Sequence, residues 1–161
     1  MRAILLTGGV GTGKTTVLQA LGELLEKRGE PYALVDLDWL CWARPRTGTP
    51  HELLCVNLAA IAAVYAEQGI ERLVLARHLA SAAELEAVRE ALPGVPVTAV
   101  RLVADADTRA TRIRARDVGR ELEEHLALLA AGDPPRFEDA DVLAVGDAAE
   151  IAGAVLRAAA W

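Results

Sequence analysis

An apolar run, Ala3-Ile4-Leu5-Leu6, leads straight into Gly8-Gly9-Val10-Gly11-Thr12-Gly13-Lys14-Thr15. The octet matches G-x-x-x-x-G-K-[ST] in full, and Thr16 adds a second hydroxyl behind it. An amphipathic segment follows without a break, with Val17, Leu18, Leu21, Leu24 and Leu25 at helical spacing and Gly29 as its stop. Buried strand, tight glycine turn and helix, in that order, are what such a motif demands of the chain.

The rest of the sequence repeats the alternation. Apolar, β-type runs fall at Ala3–Thr7, Tyr32–Asp38, Arg72–Ala76, Val97–Val103 and Val142–Val145. Helical patterns lie between them: 14–28, 51–68, a helix capped by Ser81 and ending near Leu92, and an arginine-rich segment over 108–130 with a break at Gly119. A last alanine-rich helix runs to Trp161, and Arg44 to Pro50 is turn-rich. Strand–helix alternation at this spacing builds right-handed βαβ units, so the expected fold is α/β: one domain, three layers, a mostly parallel sheet with helices on both faces.

Composition narrows the possible roles. With 161 residues, 53% hydrophobic and 25% charged, the chain has enough apolar surface for one core. Its net charge of −6 argues against nucleic acid as a partner, because that role needs cations spread over phosphates. No run approaches the roughly 20 apolar residues of a membrane span, and the apolar start is too short for a signal-peptide core. Cys41 and Cys55 form no metal-binding pattern, so the expected setting is a reducing cytoplasm, as monomer or homodimer.

The chemistry starts at the glycine loop. Successive backbone N–H groups curl around a phosphate there, and the helix that begins at Lys14 adds its positive end. Gly8, Gly9, Val10, Gly11, Thr12 and Gly13 form the cradle, Lys14 reaches the β/γ-phosphates, and Thr15 ligates Mg²⁺. Of 17 basic residues only Lys14 and Lys27 are lysines. Arginine's planar fork does not fit so tight a loop, which explains a lysine in an arginine-rich chain.

A Walker-B acid is missing from the third strand, which ends in Arg77-His78, and no Asn-Lys-x-Asp guanine-reading motif occurs. The apolar strand that ends in acid is the second, Leu34-Val35-Asp36-Leu37-Asp38. Two residues apart on a strand, Asp36 and Asp38 are expected on one face, at the carboxyl end where open α/β sheets bind ligands. Paired carboxylates there suit a shared Mg²⁺ and the uptake of a proton from an attacking alcohol. The alternative is that one of them caps the turn after the strand.

In its strand, G-x-x-x-x-G-K-T-T loop, second strand ending Asp-x-Asp and late Arg-x-x-x-Arg segment, the chain resembles the small P-loop kinases. These include adenylylsulfate, gluconate and shikimate kinases and chloramphenicol phosphotransferase. The resemblance implies a five-stranded sheet in the order 2-3-1-4-5 and a short lid over ATP, at about residues 109–135. It also implies that Asp38 is the substrate-side base, that Asp36 acts near Mg²⁺, and that Arg112 and Arg116 are the lid arginines.

Arg109, Arg112, Arg116 and Arg120 form one helical stripe, with Arg114 off it. Such a patch suits charge developing on a transferring phosphoryl group; the alternative is a solvated face paired with Glu121, Glu123 and Glu124. Gly119 is a candidate hinge. The chain departs from the family in holding no zinc-type cysteines in the lid. It departs again at Val145-Gly146-Asp147, where many relatives carry a polar Asp-Thr turn near the adenine.

Trp39 and Trp42 bracket Leu40-Cys41 directly after the Asp pair and are expected either to wall an acceptor pocket or to anchor the next helix in the core. Arg77 is a candidate substrate clamp; Arg44 and Arg46 would serve an anionic acceptor. His78, beside Arg77, is read as a solvent-facing or satisfied histidine, His51 and His125 carry no distinct signal, and Trp161 is expected to pack back on the domain. The leading expectation is an ATP-dependent kinase acting on a hydroxyl of a small molecule. A nucleoside or nucleotide kinase is the second reading, and a nucleotide-binding ATPase or regulatory module the third.

Overall fold

The computed structural model describes residues 1–44 and 46–161; Pro45, within the turn-rich stretch, lies outside the described residues. The elements in chain order are β1 (Arg2–Thr7), α1 (Lys14–Lys27), β2 (Tyr32–Asp36), a 3₁₀ turn (Leu37–Leu40), α2 (Pro50–Glu67), β3 (Arg72–Ala76) and α3 (Ala82–Glu90). They continue with β4 (Val97–Val103), α4 (Ala106–Arg116), α5 (Gly119–Ala131), β5 (Ala140–Leu143) and α6 (Ala148–Ala158). All strand pairs are parallel and the sheet order is β2-β3-β1-β4-β5.

The apolar run of β1 explains its central place. Successive side chains of a strand point to opposite faces, so a strand covered on both sides must be apolar throughout. Ile4 and Leu6 join Val17, Leu21 and Leu25 of α1 and Ile151 and Val155 of α6 in one core. Ala3 and Leu5 join Leu54 and Leu58 of α2 and Leu85 and Val88 of α3 in the other. Trp161 packs against the first core, with the guanidinium groups of Arg2 and Arg72 at 5.2 and 5.4 Å from its ring. Among the described residues no helix is long and apolar enough to cross a membrane.

Local chemistry sets the helix ends. Gly29 leaves α1 at φ +67, which suits a residue without Cβ. Thr49 and Glu52 close a capping box around Pro50 at the start of α2. Ser81 caps α3 as its sequence predicts.

The last helix stops at Ala158, short of Trp161, and three further boundaries differ from expectation. β2 ends at Asp36, two residues early, because Leu37 turns into the second core and the backbone enters a 3₁₀ turn. The arginine-rich segment breaks at Asp117 and Val118, both extended, and Gly119 at φ +58 restarts the helix. β5 lies two residues before the apolar stretch Val142–Val145 because it is an edge strand. Its register is marked by the cross-strand pair Arg101–Asp141, while Leu143 and Val145 are exposed.

Candidate active site

The glycine loop leaves the carboxyl end of the central strand and wraps the start of α1. Gly8, Gly11 and Gly13 take φ values of +127, +78 and +91, a region that only glycine enters without strain. A Cβ on Gly8 would lie 2.6 Å from the backbone oxygen of Leu102. Thr12 is buried and its hydroxyl donates to the carbonyl of Gly9 at 2.9 Å. Lys14 Nζ donates to the carbonyls of Gly8 (2.8 Å) and Gly9 (3.0 Å), which folds the ammonium over the loop. Burial pulls the Lys14 pKa down to about 8; Asp38 opposes this, and Arg109 and Arg116 add to it.

Two arginines of α4 fasten the loop from outside. Arg109 is buried, its Nε donates to the carbonyl of Val10 at 2.8 Å, and its two terminal nitrogens grip Asp133 at 2.7 and 2.9 Å. This ion pair sits on Gly9, where a Cβ would fall 2.1 Å from both Arg109 Nη2 and Asp133 Oδ1. Arg112 donates to the carbonyls of Thr12 (3.3 Å) and Ala144 (2.9 Å) and so ties the loop to the end of β5.

Beside the loop opens a cavity of about 730 Å³. Gly9, Val10, Gly11, Gly13, Lys14, Thr15 and Thr16 form its floor. Asp38 and His78 border it on the β2–β3 side, and Glu121, His125, Leu128 and Ala131 border it from one face of α5. Arg109, Arg116 and Asp133 complete the wall. A smaller cavity of about 350 Å³ lies on the other side of the loop, between Arg112, Arg116, Gly146 and Ile151.

Asp38 reaches the cavity by a different route from the one its spacing predicts. Asp36 and Asp38 do not share a strand face, since β2 has already ended; Asp36 Oδ1 instead accepts the backbone N–H of Asp38 at 3.1 Å and caps the turn. The turn is fastened to α2 by Asn57, whose amide donates to the carbonyl of Leu40 at 2.7 Å. Asp38 therefore borders the cavity and Asp36 does not.

Arg77 stands behind Asp38, with Nη1 at 3.3 Å from Asp38 Oδ1 and donating to Cys41 Sγ at 2.9 Å; it is not part of the cavity wall. Trp39 and Trp42 neither anchor the core nor border the cavity. They are 70% and 78% exposed and lean on one another with ring centroids 4.9 Å apart. Arg44 and Arg46 are exposed and away from the cavity.

The arginine stripe divides by position. Arg116 borders both cavities, Arg112 only the smaller, and Arg120 is exposed and paired with Glu124 at 2.6 Å, the solvated alternative. Arg112 thus braces the loop on the side away from Lys14 and Asp38.

Several wall residues escaped the sequence reading. His125 Nδ1 donates to Asp117 Oδ2 at 2.6 Å, and Arg116 Nε donates to Asp117 Oδ1 at 2.5 Å. Asp117 is buried at the α4–α5 break, and these two hydrogen bonds, from Arg116 and then His125, hold its carboxyl at about 2. The Gly132-Asp133-Pro134-Pro135 turn that presents Asp133 was the visible signal for it: a helix stop with an acid beside it.

No protein-family model and no curated protein sequence matches the chain. Solved structures do. A gluconokinase from Sinorhizobium meliloti 1021 superposes with a TM-score of 0.65 at 24% identity, covering 99% of this chain and 91% of that one. The APS kinase of Mycobacterium tuberculosis in complex with AMPPNP and APS gives 0.68 at 19% identity, covering 99% and 98%. An unliganded sugar kinase from Janibacter sp. HTCC2649 gives 0.64 at 18% identity, covering 99% and 95%. Glycine loop, strand order and these likenesses together give the chain the fold of the P-loop small-molecule kinases.

Proposed function

We propose that the protein transfers the γ-phosphoryl group of ATP to a hydroxyl of a small molecule. The observation that carries this reading is a single cavity with the glycine cradle and Lys14 as its floor and the Asp38 carboxylate on its wall. A polyphosphate laid on the loop brings its terminal phosphate toward Lys14, and an acceptor between Asp38 and α5 faces that phosphate. The acceptor oxygen bonds to phosphorus, the bond from phosphorus to the β,γ-bridging oxygen breaks, the hydroxyl proton passes to Asp38, and ADP leaves.

Oxygen donors at the cavity fit Mg²⁺: the Thr15 hydroxyl on the floor as ligand, with the Asp38 carboxylate bordering the same cavity. Such an ion neutralises charge on the phosphates. Asp36 serves the reaction through the turn it caps. Arg116 supplies positive charge beside the transferring group, Arg112 braces the loop, and α5, which buries no side chain, is the lid. The smaller cavity beside Gly146 suits the adenine.

The nucleotide-kinase reading needs arginines converging on an anionic acceptor, and Arg44, Arg46 and Arg77 all lie off the cavity wall. Thermal unfolding tests the proposal. Mg·ATP raises the Tm of the wild type, and Lys14→Ala keeps its fold but loses that shift. ADP release then depends on an added alcohol or polyol and falls by about a hundredfold or more in Asp38→Asn. ADP release that ignores every acceptor and persists in Asp38→Asn excludes the kinase.

A further inference from the structure

The charges around the larger cavity carry information on the acceptor itself. Each nitrogen of Arg109 is already engaged, two on the Asp133 carboxylate and one on the Val10 carbonyl. Arg116 gives Nε and Nη2 to the two oxygens of buried Asp117. Lys14 belongs to the loop, whose carbonyls hold it at 2.8 and 3.0 Å. Arg77 is turned behind Asp38 to Cys41.

The carboxylates are the less satisfied side. Glu121 borders the cavity from α5 and, among the described residues, makes no ion pair or hydrogen bond, the charge of Arg116 acting on it from a distance. It is exposed, and a carboxylate oxygen of it lies within 4.8 Å of the polar atoms of Asp117 and His125. Asp38 meets Arg77 through one oxygen at 3.3 Å. A nucleotide polyphosphate on the floor adds further negative charge. An acidic acceptor would enter this space against Glu121 and Asp38, and the bordering guanidinium of Arg116 is already shared between the Asp117 carboxylate and the charge of Glu121; an ammonium would find Glu121 without a hydrogen-bond partner among the described residues.

We infer that the acceptor is a polyol bearing an amine, an amino sugar or amino alcohol, with its ammonium on Glu121 and its reacting hydroxyl on Asp38. This deepens, and rests on, the kinase reading above. The phosphoryl group goes to oxygen: the hydroxyl proton passes to Asp38, the O–P bond forms as the bond to the bridging oxygen of ADP breaks, and the ammonium keeps its protons throughout. His125, held by Asp117 through Nδ1, and Leu128 border the same α5 face and shape the remainder of the pocket.

Three open-chain probes that differ only at carbon 1 test this: glucamine, glucitol and gluconate. Each is titrated calorimetrically into the full-length protein saturated with Mg·AMPPNP at pH 7, and each is assayed for ADP release with Mg·ATP. The expected order is glucamine, then glucitol, then gluconate, with glucamine ahead of gluconate by about tenfold or more in affinity. Glu121→Gln, a surface change on α5, removes the advantage of glucamine over glucitol. Gluconate bound or turned over as well as glucamine, binding of none of the three, or an unchanged preference in Glu121→Gln overturns the inference. Those results leave the kinase reading standing if the Lys14-dependent shift by ATP persists; loss of that shift in the wild type defeats the kinase reading instead.

Discussion

Lys14 holds its proton weakly because the loop that needs its charge also removes its water. Burial outweighs the nearby Asp38, and the ammonium titrates at about 8. A bound polyphosphate favours the charged form, so binding in alkaline solution must draw a proton from the medium. The sign follows. Affinity for ATP is expected to be at its full value below pH 8 and to fall as the pH rises from 8 toward 10, by up to about tenfold per pH unit. Calorimetric Kd values for Mg·ATP measured across that range are expected to show the decline in the wild type. A flat wild-type profile would mean that Lys14 keeps its proton when the loop is empty. The neighbouring glycines act by space as well as by freedom. At Gly9 the φ is ordinary, and what excludes a side chain is the Arg109–Asp133 pair lying where Cβ would be.

At the scale of elements, the α4–α5 junction decides what faces the cavity. The helical pattern of 108–130 is continuous in hydrophobicity, and Gly119 is its obvious weak point. The break falls at Asp117-Val118 because the Asp117 carboxylate is turned inward to Arg116 and His125, one from each helix. Asp117 is therefore a positioning residue for both. Asp117→Asn is expected to lower kcat by roughly ten- to hundredfold with little change in the ATP-induced Tm shift, since the loop itself is untouched. Its effect on stability has a defined pH window. The folded carboxyl titrates at about 2, below the usual value of 3.8, so its contribution is present above pH 4 and disappears as the pH falls toward 2. Wild type and Asp117→Asn should thus differ in Tm at pH 7 and converge in acid; a Tm gap that stays constant from pH 7 to pH 2 excludes this role. The turn carrying Asp38 shows the same division of labour, with Asp36 and Asn57 holding the shape and Asp38 meeting the cavity.

Across the whole molecule, β1 carries the fold and the site together. Its side chains alternate between the two cores, and its carboxyl end becomes the glycine loop, so loosening the strand loosens the cradle. Leu5 is fully buried in the α2–α3 core. Leu5→Ala is expected to cost about 3 kcal/mol and lower Tm by roughly 10 °C, with a matching loss of ATP binding near the transition; a thermal melt with and without Mg·ATP measures both. Sequence alone determined a good deal here. Strand–helix alternation gave the layers, the family resemblance gave the strand order now observed, and the glycine spacing located the loop, because these rest on periodicity and backbone sterics between near neighbours. Tertiary structure alone decided which side chains meet. Asp36 and Asp38 lost their common face when burial of Leu37 ended β2 early, Trp39 and Trp42 were left outside, and Arg112 was drawn to the far side of the loop by the Ala144 carbonyl. Asp133 and His125 joined the wall, held by Arg109 and by buried Asp117, through contacts that no local pattern encodes. Burial and hydrogen-bond satisfaction are settled among distant residues only once the packed layers bring them together.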